Sequence, residues 1–280
     1  MHNWVAQGCC VPGAEWEGGA MTARIRGTSV CLLALLASSL NASIIGTSRA
    51  EFRASFALIP NGRVVVQNLY GDVQITAWDR DEVLVQATKH SADPHRLNDA
   101  QIVVDSSSGL VSIHTQYTGS DAEHPASVEY HIMVPRGANL ENVKLINGGL
   151  SLSGMAGAVK ASSVNGSIKA EKMSGQTELS TVNGFLEADF QRVSKCHLIS
   201  LTTVNGPIRL SLPSGAGVNV SAQNLSGGID ADFGRSWRAP AGNRLDAALN
   251  GGGAQIRLHN VNGGISIHST WSRKASHPVS

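Results

Sequence analysis

The chain has 280 residues, with 22 Lys and Arg against 21 Asp and Glu, and only 15% of its residues are charged. A near-neutral chain without a basic run has no electrostatic footprint for nucleic acid, and it lacks a polybasic patch for a membrane surface. Of the four cysteines, Cys9, Cys10 and Cys31 fall where removal is expected; Cys196 is left alone, which excludes an internal disulfide and a cysteine metal site.

Residues 1–20 show neither helical nor strand periodicity and read as a disordered extension upstream of Met21. Residues 21–50 read as a secretory signal. Arg24 and Arg26 supply a positive start, Val30 to Leu40 an apolar run of 11 residues, and Ser48 with Ala50 a cleavage site before Glu51, with Ala42 as an earlier option. The apolar run is too short to span a bilayer. Cys31 sits near its beginning rather than after it, the wrong place for a lipid anchor. The mature chain is therefore expected to be exported and to keep no membrane span. Loss of residues 1–50 removes Arg24, Arg26, Arg49, Glu15 and Glu17, leaving the two signs of charge equal.

Residues 51–135 are expected to form a less regular β region that caps the following array, with strands at Arg63 to Leu69, Val73 to Ala77, Val83 to Thr88, Gln101 to Val104, Val111 to Thr115 and Val128 to Val134.

Residues 136–270 are repetitive. Asn-Gly after an apolar residue occurs at Ile146-Asn147-Gly148, Val164-Asn165-Gly166, Val182-Asn183-Gly184, Val204-Asn205-Gly206, Leu249-Asn250-Gly251 and Val261-Asn262-Gly263, and Leu225-Ser226-Gly227 is a near copy. The spacing is 18 residues between Asn147, Asn165 and Asn183, then stretches, and ends with a short step from Asn250 to Asn262. A period near 20 with tolerated insertions marks a stacked-strand array. Asn and Gly reach positive φ at low steric cost and suit a sharp corner. After each corner the residues alternate, so Ile168 with Ala170, Leu186 with Ala188, and Ile208 with Leu210 face inward, while Lys169, Glu187 and Arg209 face water.

These features predict an all-β fold, a parallel β-solenoid (β-helix) of about 20-residue rungs. The alternative is an antiparallel β meander, because Asn-Gly is also the strongest hairpin signal. In the coil, equivalent asparagines stack about 4.8 Å apart as a ladder. The body would be roughly 45 Å long. At the end of the array the tail 271–280, with Trp271, Arg273, Lys274 and Pro278, is expected to stop further strand pairing.

Val134-Pro135-Arg136-Gly137-Ala138-Asn139-Leu140, the repeats, Leu212-Pro213-Ser214-Gly215-Ala216, and the closing Asn250-Gly251-Gly252-Gly253 with Val261-Asn262-Gly263-Gly264 resemble the bacterial DUF4097 family. Gly71-Asp72-Val73-Gln74-Ile75-Thr76-Ala77-Trp78-Asp79 is similar to the family's opening strands. The likeness covers about residues 55 to 270. It implies a bacterial β-strand repeat protein with an adhesin-like role and no shared catalytic motif.

The residues themselves offer little catalytic chemistry. The chain has no phosphate-binding loop, His-Glu-x-x-His, nucleophile elbow or Cys-x-x-Cys, and no catalytic, cofactor-binding or metal-binding residues are assigned. Gly251-Gly252-Gly253 lacks the aspartates of a calcium-binding roll and reads as a turn. Asp230 and Asp232, at i and i+2, are the best acid pair, but they share an outward face, as solvated acids do. Cys196 and His197 are adjacent and so point to opposite strand faces. His90, His95, His114, His124, His131, His197, His259 and His268 show no ligand spacing within a strand.

The function expected is therefore a noncatalytic secreted or cell-envelope solenoid, adhesin-like, that presents a flat strand face to a surface, polysaccharide or protein. The alternatives are a structural or regulatory envelope component that binds a membrane protein and, last, a carbohydrate-active enzyme. The expected location is periplasmic, cell-envelope or extracellular.

Overall fold

An alternating run such as Ile168-Lys169-Ala170-Glu171 presents one apolar and one polar side, so it is stable only with one side buried and the other in water. In the computed structural model, which describes residues 23–26, 48–118, 125–233 and 242–270, each such run does this, and two large sheets close over a shared core. The first part of the chain supplies β1 (Ala23–Arg26), β2 (Ser48–Ala57), β3 (Arg63–Tyr70), β4 (Val73–Trp78) and β5 (Glu82–Ser91). A short 3-10 turn, Pro94–Asn98, leads into β6 (Ala100–Ser107), β7 (Leu110–Tyr117) and β8 (Ser127–Pro135). The repeats then supply β9 (Asn139–Asn147), β10 (Leu150–Ser153), β11 (Val159–Asn165), β12 (Ile168–Met173), β13 (Thr177–Asn183) and β14 (Leu186–Phe190). They continue with β15 (Leu198–Asn205), β16 (Ile208–Pro213), β17 (Val218–Ser226), β18 (Ile229–Asp232), β19 (Arg244–Leu249), β20 (Ala254–Asn262) and β21 (Ile265–Thr270).

The first sheet has eleven strands in the order β1-β6-β7-β3-β9-β11-β13-β15-β20-β17-β19, and the second has ten in the order β18-β21-β16-β14-β12-β10-β4-β8-β5-β2. At about 4.8 Å per strand, the stack is roughly 45 Å long. The repeats pair in parallel, with Asn165 opposite both Asn147 and Asn183, and Ile168 opposite both Leu150 and Leu186. The fold is the parallel solenoid. Antiparallel pairing among the described strands is confined to the ends of the stack, where β2 meets β5, β5 meets β8, β6 meets β7 and β17 meets β19.

The rungs do not stack in chain order: β20 and β21 sit between β15–β16 and β17–β18, so the last repeat returns to fill a place the chain had passed over. Asn250-Gly251 is not a rung corner. It belongs to the loop from β19 to β20, and Asn250 there has φ 49°. The irregular steps on either side of Asn250 arise because a hairpin-type turn carries the same dipeptide as the corners.

Positive φ also fails to explain the asparagines of the corners. Among described non-glycine residues only Asn61, Lys172 and Asn250 adopt it. The corner asparagines end their strands, and their side chains form the ladder: Nδ2 of Asn165 donates to Oδ1 of Asn147 at 2.9 Å, Asn183 to Asn165 at 2.8 Å, Asn205 to Asn183 at 2.8 Å and Asn262 to Asn205 at 3.0 Å. The corner glycines are required by close approach. A Cβ on Gly166 would lie 1.9 Å from the Gly148 carbonyl oxygen, and one on Gly206 would lie 2.1 Å from that of Gly184.

Inside three successive corners a hydroxyl partners the turn of the rung before it. Ser163 donates to the Gly148 carbonyl at 3.2 Å, Thr181 to Gly166 at 2.8 Å and Thr203 to Gly184 at 3.3 Å. These side chains are buried, and pairing them with otherwise bare turn carbonyls removes a desolvation penalty. Nearer the start of the stack Asn68 has this task, donating to Val128 at 2.8 Å and Gly71 at 2.9 Å. The Oδ1 of Asn68 accepts from Thr115, which also meets the Tyr130 hydroxyl at 2.7 Å. Burial pushes the Tyr130 phenol well above its ordinary value, against the opposing pull of its Thr115 bond.

β2 was not among the expected strands. Its Phe52, Ala54 and Phe56 face the core on the outermost position of the second sheet, and cleavage before Glu51 would remove Ser48, Arg49 and Ala50 from it. The rest of the expected signal lies outside the described residues, apart from β1, whose backbone runs parallel to Ile102–Asp105. The expected capping tail 271–280 and the extension 1–20 also lie outside them.

Candidate functional site

Period-two alternation turns the outward side of every rung into part of a long ladder, and what each row can do follows from its residues. On the second sheet the outward row His131, Gln74, Ser151, Lys169 and Glu187 crosses β8, β4, β10, β12 and β14 in register. On this side β10 carries only the small Ser151 and Ser153, preceded by Gly149, whereas its neighbours carry long side chains. The result is a groove of about 420 Å³, with Ser151 and Gly149 at its floor and Gln74, His131, Lys169, Asp72 and Phe185 around it.

The groove is lined by polar and apolar groups together, with the exposed Phe185 on one side. Asp72 accepts the Gly149 N–H at 2.7 Å, which ties the groove wall to its floor. Lys169 is ion-paired with Glu171 at 2.6 Å, and that hydrogen bond together with the carboxylate charge raises the ammonium pKa and lowers that of Glu171. Glu129, also on the wall, lies 3.5 Å from His90. Phe185 is 39% exposed and, among the described residues, is the aromatic member of the exposed large apolar side chains.

A second feature lies along the corner. Leu69, Ile146, Val164, Val182, Val204 and Leu225 are all exposed large aliphatics, each one residue before the corner position of its rung. Leu225 is the most open, at 75%. Beside them on the first sheet runs an uncharged hydroxyl stretch, Ser162, Ser180 and Thr202, paired in register.

The residues singled out from sequence are dispersed. Asp230 and Asp232 lie on β18 at the end of the second sheet, on its outward side, with Ile229 and Ala231 buried beneath them. Cys196 is exposed, and with His197 it lies in the turn before β15 rather than in a strand. There the Ser194 N–H approaches Nδ1 of His197 at 3.4 Å. His131 joins the groove, His95 lies in the 3-10 turn, and His124 is outside the described residues. Among the described residues no three His, Cys, Asp or Glu are grouped to hold a metal ion, and no helix is long and apolar enough to cross a membrane.

Sequence reasoning missed the groove. Phe185 reads as one more apolar residue after a corner, and Ser151 as one more polar strand residue. The only available signal was the cluster of small residues Gly149, Ser151 and Ser167 at positions where other rungs carry Phe185 or Lys169.

The family model described as Toastrack DUF4097 matches residues 41–268. No curated protein matches the chain. Similar solved structures include a candidate cell adhesion protein from Clostridium sporogenes, at 12% identity and TM-score 0.46, covering 79% of this chain and 100% of that one. A candidate adhesin from Bacteroides fragilis matches at 10% identity and TM-score 0.34, covering 80% and 98%. A candidate lipid binding protein from Parabacteroides distasonis matches at 10% identity and TM-score 0.27, covering 79% and 97%.

Proposed function

The chain belongs to the Toastrack DUF4097 family, and on that premise we propose that it is a noncatalytic, adhesin-like solenoid, exported to the cell envelope or beyond, whose outward strand faces bind a surface, polysaccharide or protein. The observation that carries this reading is the continuity of the outward rows. Uncharged hydroxyls run in register across three strands of one face and a groove crosses neighbouring strands of the other, an extended contact surface of the kind solenoids use for binding. The strongest acid pair, Asp230 and Asp232, points to solvent at the end of the stack and faces no groove among those described.

The exposed aliphatic corner supports a second reading, a structural or regulatory component that docks on another envelope protein. Saturable retention of the purified chain on a glycan array supports the first reading, and specific crosslinks at Val164 or Val204 in the native envelope support the second. Release of reducing ends from a polysaccharide, abolished by Asp230→Ala, would overturn both in favour of an enzyme.

A further inference from the structure

We propose that the groove over Ser151 is a subsite for a neutral glycan, in which the Phe185 ring stacks on one pyranose ring while Asp72, Gln74, Ser151 and Lys169 hold its hydroxyls. This rests on the binding-surface reading above and gives it a place and a ligand class.

The chemistry of the walls selects this ligand. A pyranose has an apolar face of C–H bonds and a rim of hydroxyls that both donate and accept. Phe185, exposed at the groove wall, supplies an aromatic ring on which the first can stack. The rim matches the mixed inventory of the wall, where Lys169 donates, Asp72 accepts, and Gln74 and Ser151 can do either. The volume of about 420 Å³ lies in the usual range for small-ligand sites.

The charges disfavour an acidic sugar chain. Asp72 and Glu129 bring two carboxylates, and the one ammonium, Lys169, is already neutralised by Glu171. A uronate or phosphate repeat would meet net negative charge and would have to break the Lys169–Glu171 pair. The groove also lies open along the sheet, with Ser153 continuing the small outward residues of β10 beyond Ser151, so a chain can pass through rather than end there.

The test is calorimetric titration of the full chain with cellohexaose, maltohexaose and hexa-N-acetylchitohexaose as neutral probes and with an oligogalacturonate as the acidic one. The expected result is binding of at least one neutral probe in preference to the acidic one. Phe185→Ala and Phe185→Leu should each weaken it roughly three- to tenfold, while Phe185→Tyr retains it. Ser151→Trp, an outward substitution that fills the groove, should abolish binding, whereas Thr202→Trp on the other face should not. Circular dichroism of each variant separates lost binding from lost fold.

If a sugar binds and Thr202→Trp rather than Ser151→Trp abolishes it, the groove proposal is overturned while the binding-surface reading stands. Preference for the acidic probe, or unchanged binding in Phe185→Leu, overturns it equally. If no probe binds, the glycan proposal is overturned, and the crosslinks at the aliphatic corner then decide whether the binding-surface reading survives.

Discussion

Asn262 donates its Nδ2 hydrogen to Oδ1 of Asn205 across 3.0 Å, although 57 residues separate them in the chain. The β17–β18 rung and the strand β19, which intervene in sequence, do not intervene in space, since β20 lies directly between β15 and β17. The ladder therefore reports spatial order. In it each amide donates to one neighbour and accepts from the other, as Asn183 does toward Asn165 and from Asn205. The ladder predicts that Asn183→Asp is more damaging than Asn183→Ala at neutral pH. The alanine loses two exposed amide bonds, on the order of 1–2 kcal/mol together. The aspartate also turns an oxygen toward Oδ1 of Asn165. Denaturant melts at pH 7 and pH 3 check this: protonating the aspartate should restore a donor and narrow the gap, and equal stability of the two variants at pH 7 would count against the ladder.

Gly166→Ala should destabilise by at least about 2 kcal/mol, because its Cβ would meet the Gly148 carbonyl, a backbone atom that cannot swing aside. Gly251→Ala is the contrast. Nothing lies within 4 Å of its would-be Cβ, and only its φ of 80° opposes the change, at about 1 kcal/mol. Thermal melts of the two variants test the ranking, and a milder effect at Gly166 would refute the close stacking of corners.

Lys89 is the buried cation of the described structure, 2% exposed, with Nζ 3.3 Å from the Leu97 carbonyl. Burial lowers its pKa below 10.5. The folded state thus holds its proton less tightly than the unfolded chain, so the stability this residue contributes is fully present only above pH 10.5 and is lost as pH falls through the depressed folded value. Lys89→Met should be at least as stable as the parent at pH 7, by on the order of 1 kcal/mol. The difference should shift in favour of the parent as pH rises toward 10. Urea titrations across that range decide it, and a pH-independent difference would show that Lys89 titrates normally.

Several parts of this architecture could be read from the chain itself. Ile168, Ala170, Leu186 and Ala188 announce their inward face by alternation, and Asn147, Asn165 and Asn183 announce stacking by a constant step, because period and spacing are local properties that survive any arrangement of the rungs. The family resemblance was legible for the same reason. Local chemistry did not distinguish Asn250 from the ladder asparagines, since one dipeptide serves both a left-handed turn and a strand end.

Tertiary structure alone decided that the rung holding Asn262 slots between those of Asn205 and Ser226, and that Gly149 and Ser151 lie low between Gln74 and Lys169 with Phe185 beside them. Both depend on which strands become neighbours. That choice is made by burial and edge pairing over the whole stack, and no window of sequence contains it.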